Sequence, residues 1–518
     1  RAAVALAKAG RWALAQGAFE EAHRMLDRAR NLGAPIASWA EPLGQAELAL
    51  GRVDATLEVW NTARQSLRGV DQVRVAALAA TLTFGHGKTA QGMQVLDEML
   101  EGVGEQLPRS VLSAAWRAWG ASVLPHRGAA QVVDSSLARA RLEALFHAGR
   151  SVLVVAPVTG SMILQRHQRV ANAVDDPLHC ILAAIWQCWS RGSQGRDTSA
   201  QESRLDELLR RHHRLVAEQP RIHAEMLSSH GSALLGATRL AEAADAFEQA
   251  AHAWRAVSGE CWELRFCLAS ALQTRVHERS VDEMHTEIES FRRYAVSMGD
   301  VRSSVELAMG AGIFPHLYRS GSGVENLAYI DNALADWTDE HPPESELRIL
   351  YARAQAHLAQ GNVERALQLI EGAPFRVRAL RMFPMARFAI DGLHARILAH
   401  RHPDGNDRKL QGLLVELDNT CTDLPMGLVA GIRAGTSLVR GRREKCLEYG
   451  ARAVTYLTRA RQHLLAAGLW ADDARLSELG FVDPAGYRKL VFGPGATEVH
   501  SELRRGAVGA SSSAVPFG

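Results

Sequence analysis

Residues Met226 to Ala253 read MLSSHGSALLGATRLAEAADAFEQAAHA. Two short helices joined at Gly236-Ala237-Thr238 account for this stretch. The first carries Leu227, Gly231, Leu234 and Leu235 along one stripe, and the second carries Leu240, Ala243, Phe247, Ala250 and Ala251. Spacings of three and four set these residues on one face of each helix. Gly231 and Ala243 let the helices approach closely, Phe247 fills the gap beside them, and Ala250 leaves room for the next unit.

The same spacing recurs at the start of the chain. Gly10, Gly17, Ala22, Leu26 and Ala29 are followed 34 residues later by Gly44, Gly51, Thr56, Trp60 and Ala63. Gly85 and Ala90 extend the series by another step of 34. Gly361, Ala366, Ile370 and Ala373 repeat it, and Gly441, Cys446 and Ala453 do so weakly. A helical pair of about 34 residues with these small and large positions resembles the tetratricopeptide repeat. The expected fold is all-α: a tetratricopeptide-like solenoid, a superhelix of antiparallel helix pairs. Gly17, Gly51 and Gly85 are expected in equivalent turns.

The series divides the chain. Regular repeats are expected over 1–100 and irregular helical repeats over 101–220. Further repeats follow over 221–495, with a disordered Gly/Ser-rich tail over 496–518. Within the irregular part, Val111 to Trp119 reads as a helix, with Trp116 and Trp119 on one face. Trp186 and Trp189 read as core.

Composition narrows the function classes. The 518 residues carry 59 Lys+Arg against 57 Asp+Glu, a net charge of +2, so no general polyanion surface or nucleic-acid partner is indicated. The six cysteines, Cys180, Cys188, Cys261, Cys267, Cys421 and Cys446, form no CxxC pair. Scattered this way they read as reduced core residues, which points to the cytoplasm. No apolar run reaches about 20 residues, so no membrane span is expected. The first repeat is already under way at Arg1, which suggests a piece of a longer protein.

No catalytic constellation emerges. Gly85-His86-Gly87-Lys88-Thr89 resembles the end of a phosphate loop, but the motif needs a glycine where Leu82 stands and a strand before it. His212 and His213 are adjacent and point to different sides of a helix. Asp391 and His394 supply too few ligands, and no HExxH is present, so neither metal nor cofactor is expected. The arginines 210, 211, 214, 440, 442 and 443 read as solvated faces. The chain is expected not to be an enzyme.

Segments that break the repeat carry a narrower likeness. Val95-Leu96-Asp97-Glu98-Met99-Leu100 runs on to Leu107-Pro108-Arg109-Ser110. Gly259-Glu260-Cys261-Trp262-Glu263-Leu264 and Met298-Gly299-Asp300 follow, then Ala333-Leu334-Ala335-Asp336-Trp337. Phe481 to Gly495 closes the series with Asp483-Pro484 and Gly493-Pro494-Gly495. Together these resemble the C-terminal region of bacterial multidomain serine/threonine protein kinases that also carry an AAA-type (STAND) ATPase domain. The resemblance implies a sensor or scaffold in signal transduction. Its partner would be a protein or peptide, or the parent's own kinase and ATPase domains. The catalytic domains of that family are not in this sequence, so none of their residues can be assigned here. Alternatives are the repeat region of a STAND-type transcriptional regulator or a free-standing repeat adaptor. The second lacks no residue the first has; the first would need a helix-turn-helix, for which residues 481–518 are short and Gly/Ser-rich. In a repeat groove the first helix of each pair faces the partner. That register picks out Arg11, Glu41, Gln45, Glu225, Ser228, Arg348, Tyr351 and Gln355 as candidate protein-binding residues.

Overall fold

A computed structural model describes residues 1–107, 135–258, 261–320, 323–335, 337, 340–420, 422–471, 473–479 and 481–509. The helix expected over 111–119 lies outside these. Among the described residues the chain is helical throughout, with no strand. It is the expected solenoid of antiparallel helix pairs. Ala2–Ala15 pairs with Phe19–Asn31, Ile36–Ala49 with Val53–Ser66, and Gly69–Gly85 with Thr89–Glu101. Later pairs include Ser135–Val155 with Pro157–Val174, Pro220–Gly236 with Leu240–Ser258, Pro343–Ala359 with Val363–Glu371, and Asp423–Val439 with Arg443–Arg459.

One turn recurs between paired helices. Its middle residue adopts a positive φ, as at Gly17 (74°), Gly51 (74°), Gly87 (83°), Gly361 (75°) and Gly441 (71°). The amide of the next residue then reaches back five residues: Ala18 to the Ala13 carbonyl at 2.9 Å, Arg52 to Glu47 at 2.9 Å, Asn362 to His357 at 2.8 Å. This left-handed cap satisfies carbonyls that the helix end would otherwise orphan. Thr238 fills the same place at φ 59° and keeps the same bond, Arg239 to Leu234 at 2.9 Å.

The third repeat corrects the sequence register. Gly85 is the last residue of a helix of 17 residues, whereas the two preceding first helices have 14. The turn glycine is therefore Gly87, and the small residue of the following helix is Gly92, not the exposed Ala90. At Gly92 a Cβ would come within 2.6 Å of the Phe84 ring. The other small positions hold: Ala22, Thr56, Ala243, Ala366 and Cys446 are all fully buried. Across the pair it is a first-helix glycine that faces the large residue, and Gly44 passes so near Trp60 that a Cβ would overlap the indole.

The array also closes on itself. Trp337 donates its Nε1 hydrogen to the Gly87 carbonyl at 3.1 Å, across 250 residues of sequence. Leu464 N donates to His277 O at 2.9 Å, Val281 N to Leu479 O at 3.0 Å, and Val482 N to Tyr318 O at 3.0 Å. Thr238 and Thr422 join their hydroxyls at 2.6 Å.

The tail needs a second correction. Ala496–Gly509 is a helix, against the expected disorder over 496–518; residues 510–518 lie outside the description. Ala496, Val499 and Leu503 sit at spacings of three and four and are buried, so this helix packs against the helices Asp423–Val439, Arg443–Arg459 and His463–Trp470. Its apolar stripe is short, and the Gly- and Ser-rich sequence on both sides obscures it.

Replacing Ala243 with Leu should overpack its pair and cost about 1–3 kcal/mol. Thermal melts followed by circular dichroism measure this; an unchanged melting temperature would be the contrary result.

Candidate functional site

The structure scatters the eight candidate binding residues into three groups. Arg11 is exposed on the first helix and donates to the Ala37 carbonyl at 2.9 Å. Glu41 and Gln45 are half-buried one turn apart on the next first helix, their side chains 3.5 Å apart. Burial holds the Glu41 carboxyl above its ordinary range, while Arg74 and Arg11 pull it back. Arg11, Glu41 and Gln45 thus lie near one another on the first helices of two successive pairs, with Arg74 of the third pair beside Glu41.

Glu225 and Ser228 are not groove surface. Glu225 is fully buried. It pairs with Arg150 at 3.0 Å, and Arg150 also meets Glu263 at 3.1 Å. Phe146, Trp186, Trp254 and Trp262 surround the Arg150 guanidinium at 5.2–5.8 Å. This cation–π box compensates a charge that would otherwise be costly to bury. Half-buried Ser228 accepts from Trp254 Nε1 at 2.8 Å. Helix Ser135–Val155 lays Arg150 against Glu225 and closes off this position.

The third group lies on Pro343–Ala359. Gln355 is fully buried, a further correction, since closure of the array covers that end of the helix. Tyr351 is half-buried, its ring 6.4 Å from Phe314. Arg348 alone reaches a cavity.

That cavity, of about 120 Å³, lies where Gly69–Gly85, Trp262–Thr274, Val301–Leu307 and Pro343–Ala359 converge. Its walls are unusually charged. Arg265 is 2% exposed and its Nε donates to Asp300 at 3.0 Å. Asp300 also caps the helix Val301–Leu307 by accepting from Ser303 N at 3.1 Å. Arg302 meets Glu306 at 2.7 Å, and Glu306 accepts from the Ser345 hydroxyl at 2.5 Å. Glu344 and Arg348, one turn apart, complete the polar wall, and Phe84, Trp262 and Phe266 supply an apolar one. Burial, abetted by Glu306 and opposed by Arg348, pushes the Glu344 carboxyl up to about 7. Arg302 and Arg348 hold Glu306 below its usual range despite its own burial.

Sequence reading found Arg348 and passed over the rest. The Met298-Gly299-Asp300 segment was legible only as a helix end, although Asp300 proves to be a wall of the cavity.

Among the described residues one trio of metal-capable side chains meets: His285, Glu289 and His316, with ligand atoms within 4.8 Å of one another. The i,i+4 spacing of His285 and Glu289 was visible in sequence; His316 comes from a separate helix. Glu289 already accepts from Arg292 at 2.8 and 3.0 Å and from the Tyr329 hydroxyl at 3.1 Å. A cation there would have to displace Arg292. No described helix is long and apolar enough to cross a membrane.

No protein-family model matches the chain, and no curated protein matches it. Among solved structures it is similar to the crystal structure of the yeast Tom70, with 14% identity, 94% of this chain and 98% of that chain covered, and a TM-score of 0.30. A circular tandem repeat protein with novel repeat topology and enhanced subunit contact surfaces matches with 12% identity, coverage of 98% and 96%, and a TM-score of 0.14. The architecture therefore rests on the packing described above.

Two predictions follow from the buried charges. Arg150→Met leaves Glu225 and Glu263 with Arg221 as their remaining cation, 3.7 Å from Glu225, and should cost about 3–5 kcal/mol in urea unfolding. Glu344 has its folded pKa raised from 4.5 to about 7. The folded state therefore holds a proton that the unfolded chain has released between those values. Its contribution to stability is full below pH 4.5 and is lost as pH rises to 7. Glu344→Gln should accordingly gain on wild type as pH goes from 4.5 to 8, measured as the difference in melting temperature between the two chains. A constant difference would contradict this.

Proposed function

We propose that this chain is a non-catalytic binding scaffold that takes a protein or peptide on the inner face of its first three helical pairs. The observation that carries the reading is the convergence of Arg11 and Arg74 on Glu41, beside Gln45, from three successive first helices. Stacked pairs present such rows of shallow contacts over an extended surface. Their energetic value would concentrate in a few residues.

The finer reading is a sensor or scaffold region of a bacterial signal-transduction protein, from a serine/threonine kinase with a STAND ATPase domain. It is supported by the order of the phase-breaking segments, from Val95 to Gly495. Kinase and phosphate-loop motifs in the coding sequence upstream of Arg1 would support that parent, and a start codon at the first helix would favour a free-standing adaptor.

The non-catalytic part of the reading is supported at Lys88. The amides of the turn are engaged elsewhere: Gly87 N donates to the Phe84 carbonyl at 3.0 Å, Lys88 N to Thr83 at 3.1 Å and Thr89 N to Gly87 at 2.9 Å. A phosphate loop needs those amides curled around its anion.

The test is a pull-down from bacterial lysate with wild type and a combined Arg11→Glu, Gln45→Ala variant. A partner retained by wild type and reduced at least tenfold in the variant is expected. Equal capture by both would move the site off this face. The purified chain should show no ATP turnover; turnover lost in Lys88→Ala would overturn the non-catalytic reading.

A further inference from the structure

We propose that the cavity between Gly69–Gly85, Trp262–Thr274, Val301–Leu307 and Pro343–Ala359 is a binding site for one small oxyanion, a carboxylate or phosphate group, held by Arg348, Gln273 and Arg265. The inference goes beyond the protein-binding reading and uses a different set of residues.

Donors without partners carry it. Arg265 is almost wholly buried, yet its Nη1 makes no hydrogen bond. The Arg348 guanidinium has no hydrogen bond or ion pair, and the Gln273 side-chain amide has no hydrogen bond; all three residues line the cavity. A buried donor left unmade is costly, as at Arg265 Nη1; Arg348 and Gln273 are half-buried on the same cavity wall.

The backbone next to them is shaped to match. Ala308–Gly312 is a single π-helical turn between Val301–Leu307 and Ile313–Ser320. Such bulges recur at functional sites. Within it, a Cβ on Gly310 would lie 3.0 Å from Gln273 Nε2 and 3.2 Å from Arg348 Nη1. The absence of a side chain at Gly310 thus lets Gln273 and Arg348 pack close against the backbone of this turn.

Charge selects the ligand. Arg265 and Arg302 each have a carboxylate, Asp300 at 3.0 Å and Glu306 at 2.7 Å. Arg348 lies near Glu344, one helical turn away, and near Glu306, with neither at ion-pair distance. Three arginines thus stand against three carboxylates, Asp300, Glu306 and Glu344, and when Glu344 is protonated, as its burial favours, one positive charge is left over, which suits an anion. Guanidinium groups pair with carboxylate or phosphate through two parallel hydrogen bonds. Phe84, Trp262 and Phe266 on the other wall lower the local dielectric and strengthen that pairing. About 120 Å³ admits such a group, since about 10–15 Å³ of this kind of volume suffices for one water.

The experiment is isothermal titration of the full 518-residue chain with sodium succinate and, separately, inorganic phosphate, at constant ionic strength set by chloride. Saturable binding at one site is expected with at least one of them, and which one binds identifies the oxyanion. Arg348→Gln should weaken it at least tenfold. Gln273→Glu, at a residue whose side chain makes no hydrogen bond, should do the same by repulsion and serves if the arginine variant fails to fold. Glu344→Gln should tighten binding by removing a competing carboxyl. Absence of saturable binding by both probes, or equal binding by wild type and Gln273→Glu, overturns the proposal. Loss of partner capture in the Arg11 and Gln45 variant with oxyanion binding intact keeps the two readings separate.

Discussion

The closeness of two helices within a pair is the constraint on which this molecule depends. Gly10, Gly44 and Gly231 leave no room for a Cβ against Leu26, Trp60 and Phe247. Ala22, Thr56 and Ala243 are fully buried on the second helix of the same pairs. Such seams bring backbone near backbone and let one large side chain fill each interface. The left-handed turn sets the angle at which the second helix returns. Once both are repeated, the stacking of pairs and the superhelix follow.

What the sequence disclosed and what it withheld divide along this line. The turn and the small-residue seam are local, each written within about 34 residues. They were therefore readable, including at Thr238, where no glycine marks the turn. The misreading at Gly85 arose because the step from one turn to the next grows by two residues there, so a glycine still stands at the expected position while the turn moves to Gly87. Ala496, Val499 and Leu503 went unread because three apolar residues between Gly- and Ser-rich flanks leave a weak periodic signal.

The site was less legible because it is not local. The cavity gathers residues from Thr81 to Arg348, and nothing in the spacing of Arg265 or Asp300 says that they will meet. Glu225 and Gln355 stand on the first helices of their pairs. Their burial depends on how tightly the superhelix closes, and Arg150, far away in sequence, is what covers Glu225. Periodicity says which face of a helix is inside; it does not say whether the inside is open.

The Trp337 to Gly87 contact has a consequence for how the chain assembles. An open repeat array is quasi-one-dimensional: its pairs can form in any order, and end units fray with little effect on the middle. Here residue 337 docks on a turn 250 residues earlier. The entropy of closing that loop must be met before the contact contributes. The early pairs thus wait, during synthesis, for a partner surface that emerges much later. The resulting seams couple the first pairs to the middle of the chain and convert a linear stack into a body whose parts gain or lose order together.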